Sequence, residues 1–199
     1  MVIAMKKWET LPNRSGFTLL ELMIVITVIG VLAAIATVGA RSVLDRARKA
    51  AAQNDAFQLK NAIGSYFTEY RRYPTREVGP ESASAPVLSD HGLMDILLAA
   101  KTETGTGGLN PRRSVSFSSR KAIPSGNGRY RSGVEFDSNG GGILWDPWGN
   151  QYRILMDLDQ DSRIPAPPFA RGVAFLPVGV AIWSPGRDAD DSTETDNVT

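Results

Sequence analysis

The sequence predicts an α+β fold: one long N-terminal α-helix, membrane-spanning in its first half, packed on a small head with an antiparallel β-sheet. Three observations carry this. Phe17 to Ala40 is almost wholly apolar, with Glu21 near its start and no charge from Leu22 to Ala40; a bilayer core takes ~20 such residues in a helix. Arg41 to Arg72 has no proline and one glycine, Gly64, and its apolar residues Leu59, Ala62, Ile63, Tyr66, Phe67 and Tyr70 recur at spacings of three and four, the stripe of a helix with one packed face. Beyond Pro74 the chain turns rich in glycine, proline and short apolar runs, as in a small domain with long loops.

The N-terminal run sits behind a short basic leader in which Lys6, Lys7 and Arg14 face one acid, Glu9, while net charge over the whole chain is +1. Positive-inside asymmetry keeps such a leader in the cytoplasm and sends the remainder across the membrane. A secretory signal peptide would have an apolar core of only ~7–15 residues, although Ala33, Ala34 and Ala36 supply small residues beyond one. A plain single-pass anchor satisfies the composition but leaves Glu21 unexplained. A carboxylate in hydrocarbon costs on the order of 2.5–3.5 kcal/mol near a helix centre and less near an end, so it asks for a partner.

Arg14-Ser15-Gly16, then Phe17-Thr18-Leu19-Leu20-Glu21, then the apolar run, resembles the N-terminal signature of type IV pilins and of the pseudopilins of type II secretion over roughly Lys6 to Ala40. The resemblance implies cleavage between Gly16 and Phe17 by a prepilin peptidase, N-methylation of the new Phe17 amine, and retention of the apolar run. It also implies a filament in which Glu21 of one subunit faces the Phe17 ammonium of another. Pairing offsets the desolvation of both charges and fixes register, because an unpaired charge is costly at every other offset. Many pilins carry a proline midway along the run; here Val38 and Gly39 stand near that place, and no kink is inferred.

The amphipathic helix runs to about Tyr70, closed by Tyr73-Pro74; from Thr18 it would be ~80 Å long at 1.5 Å per residue. Its polar face holds Arg46, Lys49, Asn54, Lys60, Asn61 and Glu69. Glu77 to Pro86 is a turn-rich loop. Asp90 caps a short helix with Leu93, Ile96, Leu97 and Ala100 on its apolar face. His91, the only histidine, reads as a surface residue at that helix start, since the sequence places no partner for it. Thr102 to Pro111 reads as exposed, Ser114 to Ser118 as a short strand by alternation, and Ser125 to Arg131 and Asp137 to Gly142 as loops.

Leu144 to Ile154 contains Asp146-Pro147-Trp148-Gly149-Asn150, a turn, followed by a strand from Gln151 to Met156. The Asp-Pro-Trp-Gly-Asn-x-Tyr pattern resembles the turn and strand of the major pseudopilin of type II secretion. Trp145 and Trp148 read as core packing ahead of an exposed binding surface. Val178 to Trp183 reads as the last strand.

Two acidic stretches bear on metal. Asp157, Asp159 and Asp161 alternate like the opening of a calcium loop, but Ser162 stands where glycine would turn an EF-hand and Pro168 where its bidentate glutamate would be. An EF-hand is not expected; a smaller calcium loop and a solvated acidic turn stay open. After Trp183, the resemblance implies a calcium-binding loop, here shortened and poor in glycine, and carries Asp188, Asp190 and Asp191 onto it. Calcium is the candidate cofactor on both counts, with a frayed acidic tail as the bland reading of the second.

No cysteine is present, which excludes disulfides, thiolate metal sites and a cysteine nucleophile. One histidine, no Walker or dinucleotide loop, and no basic patch with interleaved aromatics leave neither a catalytic constellation nor a nucleic-acid surface. The expected organisation is a leader (1–16), a transmembrane and filament-core helix (17–40), an amphipathic helix (41–73), a periplasmic head (74–191) and an acidic tail (192–199). The expected role is that of a non-enzymatic structural subunit anchored in the bacterial inner membrane and then assembled into a periplasmic pseudopilus. Its partners would be the prepilin peptidase, its own copies, other pseudopilins and the inner-membrane platform of the secretion machine, with power from a separate ATPase. A type IV pilus subunit and a non-polymerising membrane-anchored binding protein are the alternatives.

Overall fold

The computed structural model describes residues 16–77 and 85–192, with backbone only at 36–41. The leader before Gly16, most of the Glu77 to Pro86 loop and nearly all of the tail lie outside the described residues. The chain divides into two compact units, Met1–Leu44 and Asp45–Thr199.

Helix α1 runs from Leu19 to Tyr70, close to the span expected. Its end is built locally. Arg71 takes a left-handed φ of 56° while its N–H still bonds the Phe67 carbonyl at 2.8 Å, and Pro74 follows where a helix cannot resume. In the first unit every described side chain from Leu19 to Ile35 is exposed. Among the described residues no helix is long and apolar enough to cross a membrane; the end of the expected span, Ala36 to Ala40, has no described side chains.

In the second unit, one face of α1 forms the core. Ala56, Leu59, Ala62, Ile63 and Tyr66 are buried, against Leu93, Met94, Leu97, Leu144, Tyr152 and Ile154. Of the expected stripe, Phe67 and Tyr70 are only partly buried. Helix α2, His91–Leu97, is capped by Asp90, whose Oδ1 accepts the Gly92 N–H at 2.8 Å, and its Leu93, Met94, Ile96 and Leu97 are buried.

The central sheet orders β1 (Val87–Leu88), β6 (Arg153–Met156) and β9 (Val180–Trp183), all antiparallel. Three hairpins surround it: β2 (Ile123–Gly126) with β3 (Arg129–Arg131), β4 (Gly133–Phe136) with β5 (Gly142–Trp145), and β7 (Ile164–Pro165) with β8 (Phe175–Leu176). The α+β expectation of a helix with a small antiparallel sheet holds.

Several local expectations need correction. Ser125 to Arg131 is a hairpin, not a loop: Asn127 and Gly128 both take positive φ, 51° and 70°, the backbone of the tight turn that joins twisted strands. Ser114 to Ser118 is not a strand. Ser116 and Phe117 instead donate to the Leu97 carbonyl at the end of α2, which consumes the bonds a ladder needs. Thr102 to Pro111 is not wholly exposed, because Asn110 is fully buried. Its amide Nδ2 donates to the Ile96 and Ser114 carbonyls, and its Oδ1 accepts the Tyr70 hydroxyl at 2.6 Å and the Ser114 N–H at 3.0 Å, so the buried side chain has its own polar groups satisfied.

Candidate functional site

At the start of α1 the residues Gly16, Phe17 and Thr18 precede the helix, and Phe17 is 81% exposed. Thr18 is the helix cap. Its backbone N–H and its hydroxyl both donate to Glu21 Oε2 at 2.9 Å, while its Oγ1 accepts the Glu21 N–H at 3.2 Å. Its carbonyl accepts the first helical bond, from Leu22. This is a reciprocal capping box. The Thr-x-x-Glu spacing carries that signal in the sequence, and reasoning from membrane cost alone passed over it. Both Glu21 contacts use Oε2. Among the described residues, a Cβ placed on Gly16 would meet nothing within 4 Å.

The Asp146–Asn150 turn is a second built feature. Asp146 is fully buried. Its Oδ1 accepts the backbone N–H groups of Trp148, Gly149 and Asn150 at 2.7–2.8 Å, and its Oδ2 accepts the Ser184 hydroxyl at 2.6 Å. Gly149 takes a φ of 95°, which an L side chain resists. Asn150 Nδ2 donates to the Gly186 carbonyl at 2.7 Å. The motif thus ties the turn to the loop that leaves β9. Burial pushes the Asp146 carboxyl above its ordinary range, opposed by the bonds from Ser184, Asn150, Trp148 and Gly149. Trp145 and Trp148 are half-buried and stand outside the core cluster. Trp145 Nε1 donates to Glu135 Oε2 at 3.0 Å, and among the described tryptophans it is Trp183 that packs fully inside.

The two acidic stretches differ. The carboxylates of Asp157, Asp159 and Asp161 converge within 4.8 Å of one another. Asp157 also accepts the N–H groups of Asp161 and Ser162 at 3.0 and 2.9 Å. Ser162 takes a φ of 67°, so the tight turn forms without the glycine of an EF-hand. This donor set suits a hard cation, though calcium would need further oxygens to reach six to eight.

Asp188, Asp190 and Asp191 are not gathered in this way. Asp191 accepts from Trp183 Nε1 at 3.1 Å and from Arg153 Nε at 3.2 Å. Asp190 Oδ1 accepts from both the backbone and the hydroxyl of Ser192. His91 lies at a helix start and is exposed, as expected, but it is not without partners: Asp95 and Asp137 face it.

Comparison with known proteins agrees with the N-terminal geometry. Residues 11–37 match the family model for the prokaryotic N-terminal methylation motif, which takes in Gly16, Phe17, Thr18 and Glu21. The chain is 28% identical over 143 residues to type II secretion system core protein G of Aeromonas hydrophila, covering 72% of this chain and 73% of that protein. It is 42% identical over 77 residues to the protein of the same name from Escherichia coli strain K12, covering 38% of this chain and 53% of that protein. It is also 32% identical over 100 residues to fimbrial protein EcpC of Eikenella corrodens, covering 46% of this chain and 65% of that protein. No solved structure matches it. The chain is pilin-like in its N-terminal motif and its order of elements, and it is similar across most of its length to type II secretion system core protein G.

Proposed function

We propose that this protein is a pseudopilin, a structural subunit of the periplasmic filament of a type II secretion system. The observation that carries the reading is the N-terminal methylation motif at residues 11–37 on a chain whose similarity to core protein G continues into the head over 143 residues. In this reading prepilin peptidase cuts between Gly16 and Phe17, and the Phe17 amine is methylated. The apolar half of α1 then serves first as inner-membrane anchor and later as filament core. The new ammonium at Phe17 is the intermolecular partner of Glu21, whose Oε1 is left over once Oε2 has capped the helix. The subunit works mechanically, with its own copies, other pseudopilins and the inner-membrane platform, and it performs no catalysis.

A pilus reading has its own support in the similarity to fimbrial protein EcpC. Complementation separates the two. This chain, expressed in a strain lacking its own core protein G, restores secretion of a reporter protein if it is a pseudopilin. Surface fibres without restored secretion would favour the pilus.

A further inference from the structure

His91, the first residue of α2, is the chain's only histidine, and the fold gives it neighbours that sequence spacing only half announces. Asp95 stands one helical turn on, and its Oδ1 is 3.0 Å from His91 Nδ1. Asp137, from the turn between β4 and β5, brings its Oδ2 to 3.9 Å from the same nitrogen. The three ligand atoms all lie within 4.8 Å of one another. Among the described residues the only ion-pair partner of either carboxylate is this imidazole.

We propose that His91, Asp95 and Asp137 form a binding site for a divalent transition-metal ion, zinc in type, that clamps α2 to the β4–β5 turn. Zinc takes imidazole nitrogen and carboxylate oxygen at about 2.0–2.2 Å in a tetrahedron, which sets ligand atoms roughly 3.3 Å apart. The observed 3.0 and 3.9 Å bracket that spacing. An imidazole ligand selects against calcium and magnesium, which take oxygen sets.

Both carboxylates are anchored by backbone N–H groups. Asp95 Oδ1 accepts the Gly142 N–H at 2.9 Å, and Asp137 Oδ1 accepts the N–H groups of Asn139 and Gly141 at 2.8 and 2.9 Å, which leaves Oδ2 to face the ring. Such outer contacts orient ligands and steady a site. The exposed side of His91 leaves the fourth position to water. The site is separate from the Asp157–Asp161 turn and from the filament reading.

The test is a titration of the full chain in detergent micelles with zinc chloride, followed calorimetrically, with cobalt(II) as a spectroscopic substitute. The wild-type chain is expected to bind one ion, and with cobalt to develop the visible absorption of a tetrahedral site. His91→Ala and Asp137→Asn are expected to weaken binding at least as much as the ~10–100-fold that loss of an outer-shell contact causes, and to lose the cobalt band. Asp159→Asn is expected to leave binding unchanged. His91 is exposed, so His91→Ala should fold, and unchanged far-ultraviolet circular dichroism verifies that it does. Absence of zinc binding in the wild-type chain, or equal affinity in His91→Ala, would overturn the proposal.

Discussion

Because the Glu21 carboxylate accepts two bonds from Thr18, replacing it with alanine removes a helix cap and a charge together. Glutamine separates them, since it can close the same capping box without a charge. If the charge specifies assembly, Glu21→Gln and Glu21→Ala should both be cleaved at Gly16–Phe17 and both fail to form filaments in an electron-microscopy assay. Filaments from Glu21→Gln but not from Glu21→Ala would assign the residue to capping alone.

A second residue, Asp55 on α1, is buried with an Oδ2 that has no hydrogen-bond partner and Arg120 3.7 Å away. Burial raises its pKa, against the opposing pull of Arg120 and of Tyr152. The folded state then holds a proton that the unfolded chain releases near pH ~3.9, so stability falls as pH climbs from there through the raised folded value. Asp55→Asn carries no such dependence. Its melting temperature relative to wild type should therefore improve from about pH 4 to pH 7, as thermal unfolding at several pH values would show. A relative decline over that window would contradict the assignment.

At the scale of elements, the long helix was legible because its signals are local: an uncharged run, then a three-and-four stripe ending before Pro74. The buried face from Leu59 to Tyr66 follows from that stripe. Leu59→Ala, at a fully buried position, should cost about 2–5 kcal/mol of head stability by denaturant unfolding; a negligible loss would mean this face is not the core. The β2–β3 hairpin was also within reach, through Asn127-Gly128, but the absence of alternating apolar residues hid it.

What could not be read were the partnerships made across the chain. Asn110 serves Tyr70, and Asp146 joins Ser184, 38 residues further along the chain, with no local pattern to announce either. Asp137 meets His91 only because the β4–β5 turn folds onto α2. The acidic loops show the same limit: spacing pointed to Asp157, Asp159 and Asp161 and the resemblance to Asp188, Asp190 and Asp191, and folding gathered the first three while turning Asp191 to Arg153 and Trp183. Calcium should accordingly raise the melting temperature of the full chain through the Asp157–Asp161 turn, with the rise lost in Asp159→Asn and kept in Asp188→Asn. Equal melting temperatures with calcium and with chelator would remove calcium from the account.

For the whole molecule, two compact units serve two purposes in the proposed function. The first, to Leu44, exposes its described apolar side chains and has to be covered, by lipid before assembly and by neighbouring subunits after it. The second holds its own core and presents the head. That division suits a subunit that changes surroundings without refolding. The central claim is that Phe17 becomes the first residue. Intact-mass and N-terminal sequence analysis of the chain co-expressed with a prepilin peptidase tests it most directly. The account predicts a mature chain that begins at Phe17 and carries one added methyl group on its amine; a chain that keeps Met1 to Gly16, or is cut beyond the apolar run, would contradict it.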